Sequence, residues 1–82
     1  PQLVAPEPEE RLEVARQHQM LQIEIFGKHK ALFEMRKHLC WYARGLDGAA
    51  AFRAAINQAA SIEEQSQLIT EFFTRDREEN GT

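Results

Sequence analysis

Lys28-His-Lys-Ala-Leu-Phe-Glu-Met-Arg-Lys-His-Leu-Cys-Trp-Tyr-Ala-Arg44 is the stretch whose reading decides the fold. Leu32, Met35, Leu39 and Tyr42 or Ala43 recur at the three- and four-residue spacing of one helix face. At about 100° per residue, Lys30, Lys37, Trp41 and Arg44 fall on the opposite side, flanked by Phe33 and Cys40. The spacing therefore predicts a helix from Lys28 to about Arg44, with Gly45 as its stop. The stretch holds five of the chain's ten Lys and Arg residues, Lys28, Lys30, Arg36, Lys37 and Arg44, against Glu34 alone. Its local net charge is +4. The whole chain sums to −3, so the remainder carries −7. That asymmetry is an electrostatic signal for a nucleic-acid surface, although a charged helix face also serves solubility.

Outward from this helix the pattern stays helical. Residues 1–8 contain all three prolines and read as a linker, with Pro8 suited to a first helical turn. A helix is expected from about Pro8 to Phe26, ended or bent by Gly27. It has one stripe of Leu12, Ala15, Ile23 and Phe26 and a second of Val14, Leu21 and Ile25. Two opposed stripes fit either a central helix wrapped by its neighbours or one face docked on polypeptide outside this chain. Beyond the turn Leu46-Asp47-Gly48, Asp47 is the expected cap of a helix to about Gln58, with Ala49, Phe52 and Ile56 inward. Ser61-Ile-Glu-Glu64 is a capping box. It opens a further helix to about Thr74 that buries Ile62, Ile69, Phe72 and Phe73. Residues 75–82 read as a polar, disordered tail. The expected fold is all-α, a four-helix bundle with short connections, whose helical domain spans 9–74.

The 82 residues allow one domain. The single Cys excludes an intrachain disulfide and fits a reducing, cytoplasmic setting. No apolar run approaches the ~20 residues of a membrane span. The start at Pro1, in a linker-like segment, reads as a piece of a longer protein. A catalytic role finds little footing. Cys40 lies mid-helix, His18, His29 and His38 lack metal-ligand spacing, and the four glycines form no phosphate loop. Binding is what remains: Lys and Arg side chains neutralise phosphates, and an RNA recognised by shape suits a basic row. Trp41 beside that row fits either base stacking or a second packing contact.

Met35-Arg-Lys-His-Leu-Cys-Trp-Tyr-Ala-Arg-Gly-Leu46, followed by Gly48-Ala49, Arg53 and Ile56-Asn57, resembles the C-terminal helical domain of bacterial tRNA-dihydrouridine synthases. The likeness extends more weakly from about Arg11 to Phe73. It implies a bundle that helps grip tRNA beside a TIM barrel. In that family the barrel uses FMN and NADPH to reduce the C5–C6 double bond of tRNA uridines, with a barrel Cys as proton donor. The fragment itself is then expected to hold no cofactor and to catalyse nothing, although its parent is an enzyme. Cys40 does not match the catalytic Cys, and Asp47 stands where Pro is often expected. The resemblance marks Arg36, Lys37, His38, Trp41 and Arg44 as RNA-contact candidates, with Lys30 and Arg53 as extensions. Arg36 and His38 lie nearer the core face, where fixing helix packing or the barrel interface is the competing role. The competing reading for the whole chain is a structural module that packs on its parent domain without touching RNA.

Overall fold

The computed structural model describes residues 8–80. The linker expected over 1–8 lies outside them apart from Pro8, as do the last two residues of the expected tail. Three helices follow in order: α1 (Pro8–Tyr42), α2 (Ala49–Gln58) and α3 (Ile62–Asn80). The expected four-helix bundle is corrected to three helical elements among the described residues, the first of which consists of two helical segments joined across a kink at Gly27.

The bend at Gly27 is large. Its φ of 82° and ψ of 164° lie in a region open essentially to glycine alone. The effect can be measured across the two arms of α1, residues 8–26 and 28–42. In a straight helix His18 and His38 would sit about 30 Å apart at ~1.5 Å per residue. Their ring centroids are 4.3 Å apart. The arms therefore fold back on each other, and α2 and α3 complete the packing.

The main core takes Leu12 and Ala15 from the first arm, Met35, Leu39 and Ala43 from the second, Ala49, Phe52 and Ile56 from α2, and Ile69, Phe72 and Phe73 from α3. Phe52 stacks on Phe72 at 4.2 Å and 16°, and Phe73 meets both rings edge-on. Each such buried side chain contributes about 1.5–3 kcal/mol. A smaller cluster of Ala31, Leu32, Ala59 and Ile62 lies under Ile23 and Leu68. Phe26, expected inside, is exposed, because it immediately precedes the Gly27 bend.

Polar side chains also hold the arms together. Gln65 is fully buried on α3; it accepts from Gln19 Nε2 at 3.0 Å and donates to the Leu32 carbonyl at 3.0 Å. One side chain thus fastens both arms of α1 to α3.

Three helix ends differ from expectation. The N-cap of α2 is Gly48, in the left-handed region at φ 81°, and no side chain caps it; Asp47 stays exposed. Helix α1 stops at Tyr42, so Arg44 lies in the following turn, its N–H bonded to the Trp41 carbonyl at 3.2 Å. Helix α3 continues past Thr74 to Asn80, so residues 75–80 are helical where a disordered tail was expected. Asp76 explains the extension: it is buried and accepts from Arg11 Nη1 at 3.0 Å, which ties the last turns of α3 to the first arm. The capping box forms as expected at its first half, with Glu64 N–H donating to Ser61 Oγ at 3.1 Å. Glu64 reaches back to the Ala60 N–H, one residue earlier than expected.

Candidate nucleic-acid interface

The second arm of α1 carries the basic stretch. Its inward face is set by Leu32, Met35 and Leu39, which enter the two cores. That anchoring fixes which cations point outward. Lys30 and Lys37 are both exposed and lie seven residues apart, about 10 Å along one face. Lys30 Nζ lies 4.6 Å from the centroid of the Phe26 ring. Lys37 Nζ lies 3.4 Å from Glu34 Oε1, one helical turn earlier. That pair is on the surface, where an ion pair is worth little, so Lys37 is readily drawn to another anion. Arg44 in the turn and Arg53 on α2 are exposed as well.

Three of the expected contact residues are engaged otherwise. Arg36 is half-buried: its Nη2 donates to the carbonyl of Ala59, the C-cap of α2, at 3.4 Å, and its guanidinium carbon lies 4.6 Å from the Phe33 ring centre. A cation at a helix C-terminus meets the negative end of the helix dipole. Arg36 therefore fastens the second arm to the end of α2, although its Nε is buried without a partner. His38 packs against His18 from the first arm. Trp41 is half-buried, with its ring edge-on to Tyr42 at 5.5 Å.

The contact of His38 with His18 belongs to a polar cluster that sequence spacing did not reveal. His18 Nδ1 lies 2.9 Å from the Tyr42 hydroxyl, and the Gln22 amide nitrogen approaches His18 Nε2 at 3.4 Å. Burial lowers the pKa of His18, and the neighbouring His38 lowers it further. Burial also lowers that of His38, with Lys37 acting in the same direction and Glu34 opposing it. Burial raises the Tyr42 phenol. Both imidazoles are held toward the neutral form. His18 and Gln22 come from the first arm and His38 and Tyr42 from the second, so no periodicity within one helix could have joined the two pairs; the turn at Gly27 does. Cys40 is half-buried and unpaired. Among the described residues, no group of three or more His, Cys, Asp or Glu side chains could hold a metal ion. No helix among them is long and apolar enough to cross a membrane.

The geometry thus separates four outward cations, Lys30, Lys37, Arg44 and Arg53, from Arg36, His38 and Trp41, which take part in packing. Lys30 and Lys37 share the second arm, Arg44 lies in the turn after it and Arg53 on α2.

Comparison with known proteins adds the family. A model described as "Dihydrouridine synthase (Dus)" matches residues 2–77. "Probable tRNA-dihydrouridine synthase 1" of Synechocystis sp. is 38% identical over 65 residues, which are 79% of this chain and 18% of the relative. "Probable tRNA-dihydrouridine synthase" of Rickettsia bellii is 31% identical over 70 residues, 85% of this chain and 22% of the relative. "tRNA-dihydrouridine synthase B" of Pseudomonas aeruginosa is 34% identical over 58 residues, 71% of this chain and 17% of the relative. The chain spans about a fifth of the length of the curated relatives it matches. No solved structure matches.

Proposed function

The chain belongs to the dihydrouridine synthase family, and from that premise we propose that it is the C-terminal, tRNA-binding helical domain of a cytoplasmic tRNA-dihydrouridine synthase. Its role is to position tRNA for reduction of a uridine by an FMN- and NADPH-dependent barrel that makes up the rest of the longer protein. The observation that carries this reading is the outward pair Lys30 and Lys37 on one helix face, with Arg44 and Arg53 also exposed, on a chain whose net charge is −3. Its relatives are named for tRNA. Cations that reach solvent from a rigid helix can neutralise phosphates and release counterions without reading sequence.

One groove formed by the described residues does not fit FMN. This groove between α2 and α3, lined by Gly48, Ala51, Phe52, Ala55, Leu68, Glu71, Phe72 and Arg75, has a volume of about 230 Å³. Small-molecule sites run to roughly 300–1,000 Å³. The groove's one cation, Arg75, lies 5.9 Å from the Phe72 ring centre, and Glu71 would repel a phosphate. No chemical step is therefore assigned to this domain.

The competing role as a packing module draws on a different face. Met20, Leu21 and Ile25 of the first arm are 60%, 51% and 60% exposed. An apolar cluster of this kind fits the surface of the parent barrel, and the two roles use different arms. The test is a titration of tRNA with the 82-residue chain across a salt series. Lys37→Ala should weaken binding and flatten the slope of log K against log salt by about one. An unchanged slope removes Lys37 from the contact set. Absence of tRNA binding at low salt, with binding to a barrel fragment, leaves packing as the function.

A further inference from the structure

Phe33 is a large aromatic on the outward side of its helix. Its neighbours Leu32 and Met35 are buried, yet Phe33 is 46% exposed in the middle of the basic stretch. On the second arm it lies three residues after Lys30 and four before Lys37, so the three share one helix face. The Arg36 guanidinium, tied to the Ala59 carbonyl, lies 4.6 Å from the ring centre, and the His29 ring lies 5.2 Å away at 75°. The ring is thus held beside a half-buried arginine, while the residue remains 46% exposed. Phe26 repeats the arrangement on the other side of Gly27, 41% exposed with Lys30 Nζ 4.6 Å from its centroid.

An exposed aromatic has two common partners, a protein surface or a nucleobase. The centre of a protein–protein contact is depleted in charge. That description suits Met20, Leu21 and Ile25, whereas Phe33 has the Arg36 guanidinium beside its ring and shares its helix face with Lys30 and Lys37. Aromatic rings interleaved with cations are the chemistry of single-stranded nucleic acid, in which a base stacks on the ring and flanking phosphates meet the cations. The span of about 10 Å between Lys30 and Lys37 leaves room for phosphates on both sides of a base on Phe33.

We propose that Phe33 is a stacking platform for an unpaired nucleobase of the bound RNA, flanked by Lys30 and Lys37 on its phosphates. This rests on the tRNA-binding reading above and adds to it a contact with an unpaired base. The helix row then holds more than a duplex backbone: it selects a place where the RNA is unpaired.

The experiment compares the 82-residue chain with its Phe33→Ala, Phe33→Leu and Phe33→Tyr variants. The ligands are tRNA and a blunt RNA duplex without unpaired bases, each across a salt series. Circular dichroism checks that each variant is folded. Phe33→Ala and Phe33→Leu should each weaken tRNA binding about five- to tenfold while leaving the salt slope unchanged. Phe33→Tyr should retain affinity, and the duplex should bind wild type and Phe33→Ala equally. A Phe33→Ala affinity within twofold of wild type overturns the proposal and gives this face to a protein partner. A Phe33→Leu variant that binds like wild type also overturns it, because apolar area without a π-face would then suffice. Either outcome leaves tRNA binding intact. If wild type does not bind tRNA at low salt, the broader tRNA-binding reading fails and this proposal fails with it.

Discussion

Gly27→Ala offers the sharpest test of the fold, because two accounts of this residue predict opposite signs. If Gly27 were an ordinary residue inside a continuous helix, alanine would stabilise the chain by about 1 kcal/mol through helix propensity. The structure places Gly27 at φ 82° and ψ 164°, where a side-chain-bearing residue pays about 1–3 kcal/mol of backbone strain. Alanine also reduces the entropy of the unfolded chain, which offsets roughly 0.4–1 kcal/mol of that cost. The net expectation is a loss of about 1–2 kcal/mol. Steric crowding does not confuse the measurement, because a Cβ on Gly27 would meet nothing within 4 Å. For a domain of this size each kcal/mol lowers Tm by about 4–8 °C.

The assay is urea denaturation followed by helical circular dichroism, with Tm from a thermal scan. A variant as stable as wild type, or more stable, would refute the fold-back of α1 at Gly27. It would also remove the basis for placing His18 beside His38. A loss of stability accompanied by a change in the urea m-value would point instead to an altered unfolded state.

Gln65→Leu should cost about 1–3 kcal/mol in urea denaturation, because the Gln19 amide is left buried and unpaired; adding Gln19→Leu should recover part of the loss. The His18–His38 pair predicts a pH dependence. Both groups titrate below their ordinary value of 6.5 in the folded state, so below that pH the unfolded chain binds more protons. Stability due to the neutral pair is full above about pH 6.5 and declines as pH falls toward the folded-state values; His38→Gln should flatten Tm between pH 7 and 5.5, and a profile unchanged by that substitution would contradict the assignment. Arg36→Met should destabilise by about 1 kcal/mol through loss of the Ala59 contact. Lys37→Met, on the neighbouring position, should change thermal stability by less than about 0.5 kcal/mol.

Residues whose role follows from their own helix were legible in the sequence. Leu32, Met35 and Leu39, then Phe52 and Ile56, then Ile69, Phe72 and Phe73, are buried as their periodicity required. Ser61 caps α3 because the cap and its target lie three residues apart. Roles created by tertiary contact were not legible. Asp76 sits in a charged terminal stretch that reads as solvated, yet it is buried against Arg11 from the other end of the chain. Gln19 and Gln65 look like surface glutamines until α3 is laid across both arms of α1. Gly27 reads as the end or a bend of the first helix, and the structure has a kink there, but the sequence does not show that the kink folds the two arms back on each other.

The candidate interface shows the same division within one motif. Arg36 and Lys37 are adjacent in sequence, equal in charge and equally suited to phosphate. One helical step of about 100° separates them, and it points Arg36 at the C-terminus of α2 and Lys37 into solvent. The formal count of cations in 28–44 therefore overstates the charge available to a partner. It also understates what the surface can recognise, since Phe33 contributes no charge and is the large aromatic exposed between Lys30 and Lys37. If recognition were electrostatic alone, neutralising Lys30 and Lys37 would abolish preference between paired and unpaired RNA along with affinity. With Phe33 in the contact, that preference should survive in Lys37→Ala and vanish in Phe33→Ala.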